Sequence, residues 1–276
     1  MHRVERARPA GPLDRFVRLW TARAPAADGP VHLVPTGTVS LVIDLAEDQI
    51  RWYQDGRSHR TGAAAIGGAY STTFAIDRRA RRDLVVARFL PGGAAPFLQV
   101  PVHEFTGTHV PLEQVWGRAA GELRERLHQA PDAAGRLRIL QAALLARSGP
   151  APRRDRAVDL ALARLEYAPV AAVVKELDTT PARFIRMFSA AVGLPPKRYA
   201  RIRRLQRAVA VLGRRPLAAI AVDCGFFDQA HLHHEFRDLA GVTPGEYLAR
   251  REARNQLDGD NFRQSTAGTG GSDSTP

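Results

Sequence analysis

The sequence predicts an α+β protein of two domains, a strand-rich N-terminal domain and an all-α C-terminal one. Three observations predict it: strand-and-turn patterning over the first third, helical periodicity after Pro111, and an internal repeat at an offset of 48 residues in the second half. The runs VSLVIDL (39–45), IRWYQ (50–54) and RDLVVARFL (82–90) are short and rich in β-branched and aromatic residues, the composition of a pleated, half-buried surface. Gly37, Gly56, Gly67, Gly68, Gly92 and Gly93 punctuate them, and Asp55-Gly56 is a good hairpin-turn dipeptide. Short strands without intervening helices predict a sandwich or a small barrel.

After Pro111 the period changes. Leu112, Trp116, Ala119, Leu123 and Leu127 fall on one helical face, and Leu137, Leu140 and Leu144 on another. Such stripes face their own domain's core or, less often, a second copy of the chain. The segment SGPAPRRDR then interrupts the pattern. The domain reading is therefore 1–147 for the N-terminal domain, 148–156 for a linker, 157–254 for the helical domain and 255–276 for a polar, disordered tail.

Charge narrows the class of partner. Lys+Arg number 40 against 28 Asp+Glu among 276 residues, a net charge of +12. Residues 151–215 hold 15 basic and 5 acidic side chains, whereas 216–276 hold 5 and 9. So dense a basic excess is what counterion release at a nucleic-acid backbone requires, although a solvated helix surface would look the same. The acidic balance after residue 215 disfavours a sequence-blind DNA compactor. No run of about 18 apolar residues is available to span a bilayer. The opening MHRVERARPAGPLDRF lacks the apolar core of a secretory signal, which predicts a cytoplasmic protein. A single cysteine, Cys224, excludes a disulfide framework and a Cys-based zinc finger.

The repeat carries the functional signal. Phe184 aligns with Leu232, Phe188 with Phe236, Gly193 with Gly241, Pro196 with Pro244 and Tyr199 with Tyr247, and VAAVVKEL (170–177) with AAIAVDCG (218–225). Each copy reads as a short apolar helix, a tight turn and a second helix ending at glycine, the helix-turn-helix layout. Asp178-Thr179-Thr180 offers a cap for a helix opening at Pro181, and Asp228 is the cap in copy two. KRYARIRR followed by LQRAVAVL (205–212) predicts a long connecting helix with a basic first half.

These residues resemble the AraC/XylS family of bacterial transcription regulators over about 160–250. The likeness rests on RFIRMFSAAVGLPPKRYARIRRLQRAVAVL and on IAVDCGFFDQAHLHHEFRDLAGVTPGEYL; Leu232 stands where phenylalanine is common, and Arg237 where lysine is. The first 150 residues, through HLVPTGTVSLVIDL and RFLPGGAAPFLQVPVHEFTG, resemble an N-terminal domain carried by some members. That resemblance implies a cupin-like small β-barrel plus helices that senses a ligand or dimerises. It implies double-stranded promoter DNA, RNA polymerase, a small-molecule effector and a second copy of the chain as partners, with no membrane and no cofactor.

Site residues follow from which helix positions turn outward. With Phe184, Met187 and Phe188 inward, Ala182, Arg183, Ile185 and Arg186 should face the major groove. The equivalents in copy two are Gln229, Ala230, His233 and His234. Arg186 suits bidentate readout of guanine, and Gln229 of adenine. Thr180, Lys197, Arg198, Arg201 and Arg204 are expected at phosphates, with Arg203 beside them. In the barrel mouth Trp52, Tyr70, Arg88 and Phe97 suit a small anionic or aromatic ligand. No metal is expected: His231, His233 and His234 lack a completing carboxylate or thiolate, and His32, His59, His103 and His109 lack metal-cupin spacing. An enzyme in the barrel is the rival reading, but Asp44, Asp77, Asp83 and Glu104 show no catalytic spacing.

Overall fold

The computed structural model describes residues 3–7, 9, 11–24, 29–77, 82–148 and 152–258. Strands β1 (Arg3–Ala7), β2 (Val17–Ala24), β3 (Pro30–Leu33), β4 (Ser40–Asp44) and β5 (Gln49–Gln54) come first. They are followed by β6 (Arg57–Gly62), β7 (Ala64–Gly67), β8 (Phe74–Asp77), β9 (Arg82–Phe89) and β10 (His109–Pro111). They form two antiparallel sheets, β1-β2-β9-β4-β7-β10 and β3-β8-β5-β6. The predicted strands 39–45, 50–54 and 82–90 are β4, β5 and β9 to within about two residues. Asp55 and Gly56 turn β5 into β6 with φ of 50° and 73°, the positive pair that a tight hairpin requires. The cupin-like barrel takes the form of two facing sheets rather than a closed cylinder.

The larger sheet has two unlike faces. Leu41 and Ile43 of β4 and Val85, Ala87 and Phe89 of β9 are buried beneath helices, while Ser40, Val42 and Arg88 point the other way and are half-buried. That period of two is the pleat itself. The covering helices are α1 (Ala95–Leu98), α2 (Leu112–Trp116), α3 (Ala119–His128) and α4 (Ala133–Ser148). Leu137, Leu140 and Leu144 all reach the core, each worth about 1.5–3 kcal/mol of burial. Trp116 Nε1–H donates to the Phe97 carbonyl at 3.0 Å, tying α2 to α1. One expected core position is corrected. Gly117, at φ 59°, breaks the helix and resets its phase, so Ala120 is buried and Ala119 exposed.

The C-terminal helices are α5 (Arg156–Arg164), α6 (Val170–Glu176), α7 (Pro181–Val192), α8 (Pro196–Val211), α9 (Leu217–Cys224), α10 (Gln229–Ala240) and α11 (Pro244–Asp258). Residues 149–151 of the expected linker lie outside the described residues, and Asp155 caps α5 by accepting from the Ala157 N–H at 2.8 Å. α11 continues to Asp258, over the first residues of the segment read as a tail; residues 259–276 lie outside the described ones. Val173, Phe184, Phe188, Tyr199 and Ile202 share one continuous core with the N-terminal sheet, whereas Leu205, Ile220, Leu232, Phe236 and Leu239 form a second cluster. The packing therefore divides within α8, between Ile202 and Leu205.

Candidate nucleic-acid interface

The internal repeat is reproduced in three dimensions. α7 and α10 begin and end at positions 48 apart, each is preceded by a capping side chain, and each is stopped by a left-handed glycine. Thr180 Oγ1 accepts from the Arg183 N–H at 3.3 Å, and Asp228 Oδ1 from the His231 N–H at 2.7 Å. Gly193 and Gly241 have φ of 91° and 70°, which a Cβ would disfavour. Phe188 meets Tyr199 edge-on at 5.5 Å, and Phe236 meets Tyr247 at 5.6 Å with a near-identical interplanar angle. Each second helix thus sits on its unit through the same aromatic wedge.

That wedge fixes which side faces out. Ala182, Arg183, Ile185 and Arg186 are exposed on α7, and Gln229, Ala230 and His234 on α10, with His233 half-buried. Ile185 leaves 45% of its surface in water. Neither Arg183 nor Arg186 nor Lys197 forms an ion pair among the described residues. Phe226 and Phe227 are a pair that sequence reasoning left unresolved: Phe226 is buried, but Phe227 is 90% exposed immediately before the cap of α10. Two consecutive phenylalanines just before a helix cap are the signal that could have singled out Phe227, since the turn buries only the first of them.

The connecting helix is less free than its charge suggests. Arg201 Nε donates to Glu235 at 2.9 Å and its Nη2 to Asp238 at 2.5 Å, bracing α8 against α10. Arg203 pairs with Glu166 at 3.0 Å. Arg204 lies over the Phe226 ring at 5.8 Å and 4.0 Å from Glu235, and Arg198 is 4.0 Å from Asp238. Of the residues expected at phosphates, Lys197 and Thr180 are the exposed ones. Arg201 instead neutralises a buried carboxylate, because the acidic side chains on α10 face it. Cys224 is buried at the end of α9, where desolvation raises its pKa.

Both α7 and α10 end against one short stretch of the N-terminal domain, residues 69–73. A Cβ on Gly193 would lie 3.3 Å from the Ala69 side chain, and one on Gly241 would lie 3.1 Å from that of Thr73. The Thr73 N–H donates to the Leu239 carbonyl at 2.8 Å. Thr106 Oγ1 donates to the Gly193 carbonyl at 2.5 Å, and Gln206 Nε2 to the Pro35 carbonyl at 2.5 Å.

Of the four residues expected at a barrel mouth, the structure groups two. Trp52 and Tyr70 surround His109, with ring centroids 4.4 Å and 5.5 Å from it, and the Tyr70 hydroxyl lies 2.7 Å from His109 Nδ1. Arg88 stands on the same inner face but over the Trp20 ring, at 4.8 Å. Phe97 lies on the opposite side of the sheet, packed on Phe16 and Phe89. Its assignment to the mouth is corrected: it belongs to α1, which covers the helix-facing side. Among the described residues, no group of three or more His, Cys, Asp or Glu side chains is placed to hold a metal ion, and no helix is long and apolar enough to cross a membrane.

Residues 173–250 match a family described as a helix-turn-helix domain, and residues 5–111 match DUF6597, a domain of unknown function. No curated protein matches the chain. Among solved structures, an apo form of ToxT from Vibrio cholerae carrying one substitution is similar at 11% identity and a TM-score of 0.44, covering 84% of this chain and 97% of that one. Wild-type ToxT from the same organism, bound to an unsaturated fatty acid, is similar at 12% identity and a TM-score of 0.44, over 84% and 95%. The DNA-binding domain of AdpA, in complex with a target DNA, is similar at 22% identity and a TM-score of 0.34, over 37% of this chain and 98% of that one.

Proposed function

We propose that this chain, an AraC-type helix-turn-helix protein carrying an N-terminal DUF6597 domain, is a sequence-specific DNA-binding regulator of transcription under small-molecule control. The observation that carries the reading is the duplicated unit: two capped helices of identical length, each with its exposed face turned away from the same aromatic wedge. Two such faces suit successive major-groove segments on one side of a duplex, about 34 Å apart. Arg183 and Arg186 read bases or grip phosphates from α7, with Ala182 and Ile185 beside them; Gln229, Ala230, His233 and His234 do the same from α10. Thr180, Lys197 and Arg198 meet the backbone.

The contacts of residues 69–73 with both reading helices support effector control. A change at Tyr70, inside the N-terminal domain, has a short packed route to both units, and a ligand need only favour one arrangement of that stretch to alter their spacing. A regulator beside a promoter works through RNA polymerase, and a homodimer would double the contacts on DNA. The chain acts in the cytoplasm and catalyses nothing on this reading. Three of the four carboxylates of the rival enzyme are otherwise engaged: Asp44 accepts from the Ala46 N–H, Asp77 from Tyr53, and Asp83 pairs with Arg23 and Arg136.

Selection of binding sites from random duplexes tests the proposal. The wild-type chain should return one discrete motif, and Arg186→Ala should lose discrimination at one base position. A flat profile for the wild type, or an unchanged motif for the variant, would remove the reading or the assignment respectively.

A further inference from the structure

The turn between α9 and α10 is tied at three residues, and one of its bonds is one that the first unit cannot make. Gly225 enters the turn at φ 78°. Arg207 Nη2 donates to the Cys224 carbonyl at 2.8 Å, and the Arg204 guanidinium lies over the Phe226 ring. The Phe227 N–H then donates to His231 Nδ1 at 3.1 Å, while the same imidazole meets the Phe226 ring edge-on at 5.7 Å. To accept, Nδ1 must carry no proton, so the ring's proton is assigned to Nε2. That atom lies 3.9 Å from Glu235, the carboxylate that Arg201 holds.

The arrangement is a reciprocal cap closed by a histidine. Asp228 Oδ1 accepts from the His231 N–H, and the His231 side chain reaches back to the Phe227 N–H. Helix α11 opens with the ordinary form: Thr243 Oγ1 accepts from the Glu246 N–H at 3.2 Å, and Glu246 Oε2 accepts from the Thr243 N–H at 2.7 Å. In α10 the imidazole stands where that glutamate would, and its bond lands one residue earlier. Helix α7 can do neither. The residue 48 positions before His231 is Arg183, whose guanidinium carries donors only. Equivalent positions thus do different work: Arg183 is left exposed, whereas His231 is spent on its own turn.

We propose that His231 is a positioning residue for DNA recognition by the second unit: its Nδ1 fixes the backbone at Phe227 and so sets where Phe227, Gln229 and Ala230 meet the duplex. This inference rests on the DNA-binding reading above and adds to it a residue that makes no base contact of its own. With the Cys224 carbonyl, the Phe226 ring and the Phe227 N–H all held, the Phe227 ring is turned outward, where it is 90% exposed. An N–H at so exposed a residue would find water if it lost its partner, at little cost in stability. The bond therefore governs the path of the turn more than the folding of the domain.

Two variants of the full chain separate the acceptor from the ring. His231→Asn keeps an oxygen where Nδ1 stands and loses the ring; His231→Phe keeps a ring against Phe226 and loses the acceptor. Selection from random duplexes should return the wild-type motif for His231→Asn. His231→Phe, folded by circular dichroism, should keep the half of the motif that responds to Arg186→Ala and lose discrimination in the other half. It should bind the wild-type operator about tenfold more weakly, the worth of one good base contact. Amide exchange at Phe227 should run several-fold faster in His231→Phe than in the wild type or His231→Asn. A merely structural role would lower stability and leave both halves of the motif as they were. A folded His231→Phe with an unaltered motif, or a His231→Asn that loses as much as His231→Phe, would overturn the assignment. If His231→Phe fails to fold, the other two chains decide: a wild-type Phe227 amide that exchanges as fast as an unbonded one, or a His231→Asn without the second half of the motif, overturns it equally. A wild type that selects no motif removes the DNA-binding reading and this inference with it. A wild-type motif that survives intact in folded His231→Phe removes the role of His231 alone.

Discussion

Arg201 Nε on α8 holds Glu235 on α10 at 2.9 Å, with the carboxylate residue only 7% exposed. This hydrogen bond is the leading cause of the raised Arg201 pKa, and it fastens α10 to the connecting helix α8. Breaking one partner of such a pair leaves a desolvated charge behind. Glu235→Gln should therefore lower stability by about 2–3 kcal/mol, discounted for the partial exposure of Arg201. Urea unfolding followed by circular dichroism checks it; an unchanged midpoint would show the brace to be dispensable.

The same pair separates structural from DNA-facing cations. Each phosphate contact contributes about 0.9 to the slope of log K against log salt. Lys197→Ala should flatten the slope by about one contact. Arg201→Met, once its stability loss is allowed for, should leave the slope where it was, because its charge is already matched by Glu235 and Asp238. Gel-shift titrations at several salt concentrations distinguish the two, and equal slopes for both variants would reverse the assignment.

Phe227 should act at the DNA rather than in the fold. Its ring is exposed and next to the cap that opens α10, beside Gln229 and Ala230, for which groove contact is proposed above. Phe227→Ser should leave the melting temperature within about 2 °C, as surface changes do, and weaken operator binding by about 1 kcal/mol. Replacing thymines of the operator by uracil should reproduce part of that loss if the ring meets a 5-methyl group.

How legible was all this in the sequence? The repeat was readable because it rests on residues whose role is local: a glycine for a left-handed stop, a proline at a helix start, an aromatic wedge. Local chemistry leaves local marks. Ala119 was misplaced because one glycine reset a helical phase, and Phe97 because a strand-rich stretch hides a four-residue helix on the far side of the sheet. Arg201 and Arg204 were read as DNA-facing because net charge does not reveal which carboxylates, distant along the chain, come to lie opposite. The contacts of residues 69–73 with both glycine stops left no sequence mark at all. They arise from packing between segments far apart in sequence, and no periodicity encodes that.

His109 makes stability depend on pH with a definite sign. Its pKa falls from the ordinary 6.5 to about 4, chiefly because burial penalises the imidazolium. In the unfolded chain the same imidazole takes up a proton near 6.5, so between about pH 6.5 and 4 the unfolded state binds more protons. Stability from this group is thus complete above about pH 6.5, declines as pH falls through that window, and levels off below about pH 4. A shift of that size corresponds to roughly 3 kcal/mol over the window. Urea midpoints at about pH 7.5 and about pH 5 should differ in the wild type, with the lower value at the acidic end. The difference should shrink in His109→Gln, which keeps a hydrogen-bonding partner for Tyr70 and cannot titrate. A variant as pH-sensitive as the wild type would place the titrating group elsewhere and leave His109 an ordinary solvated imidazole.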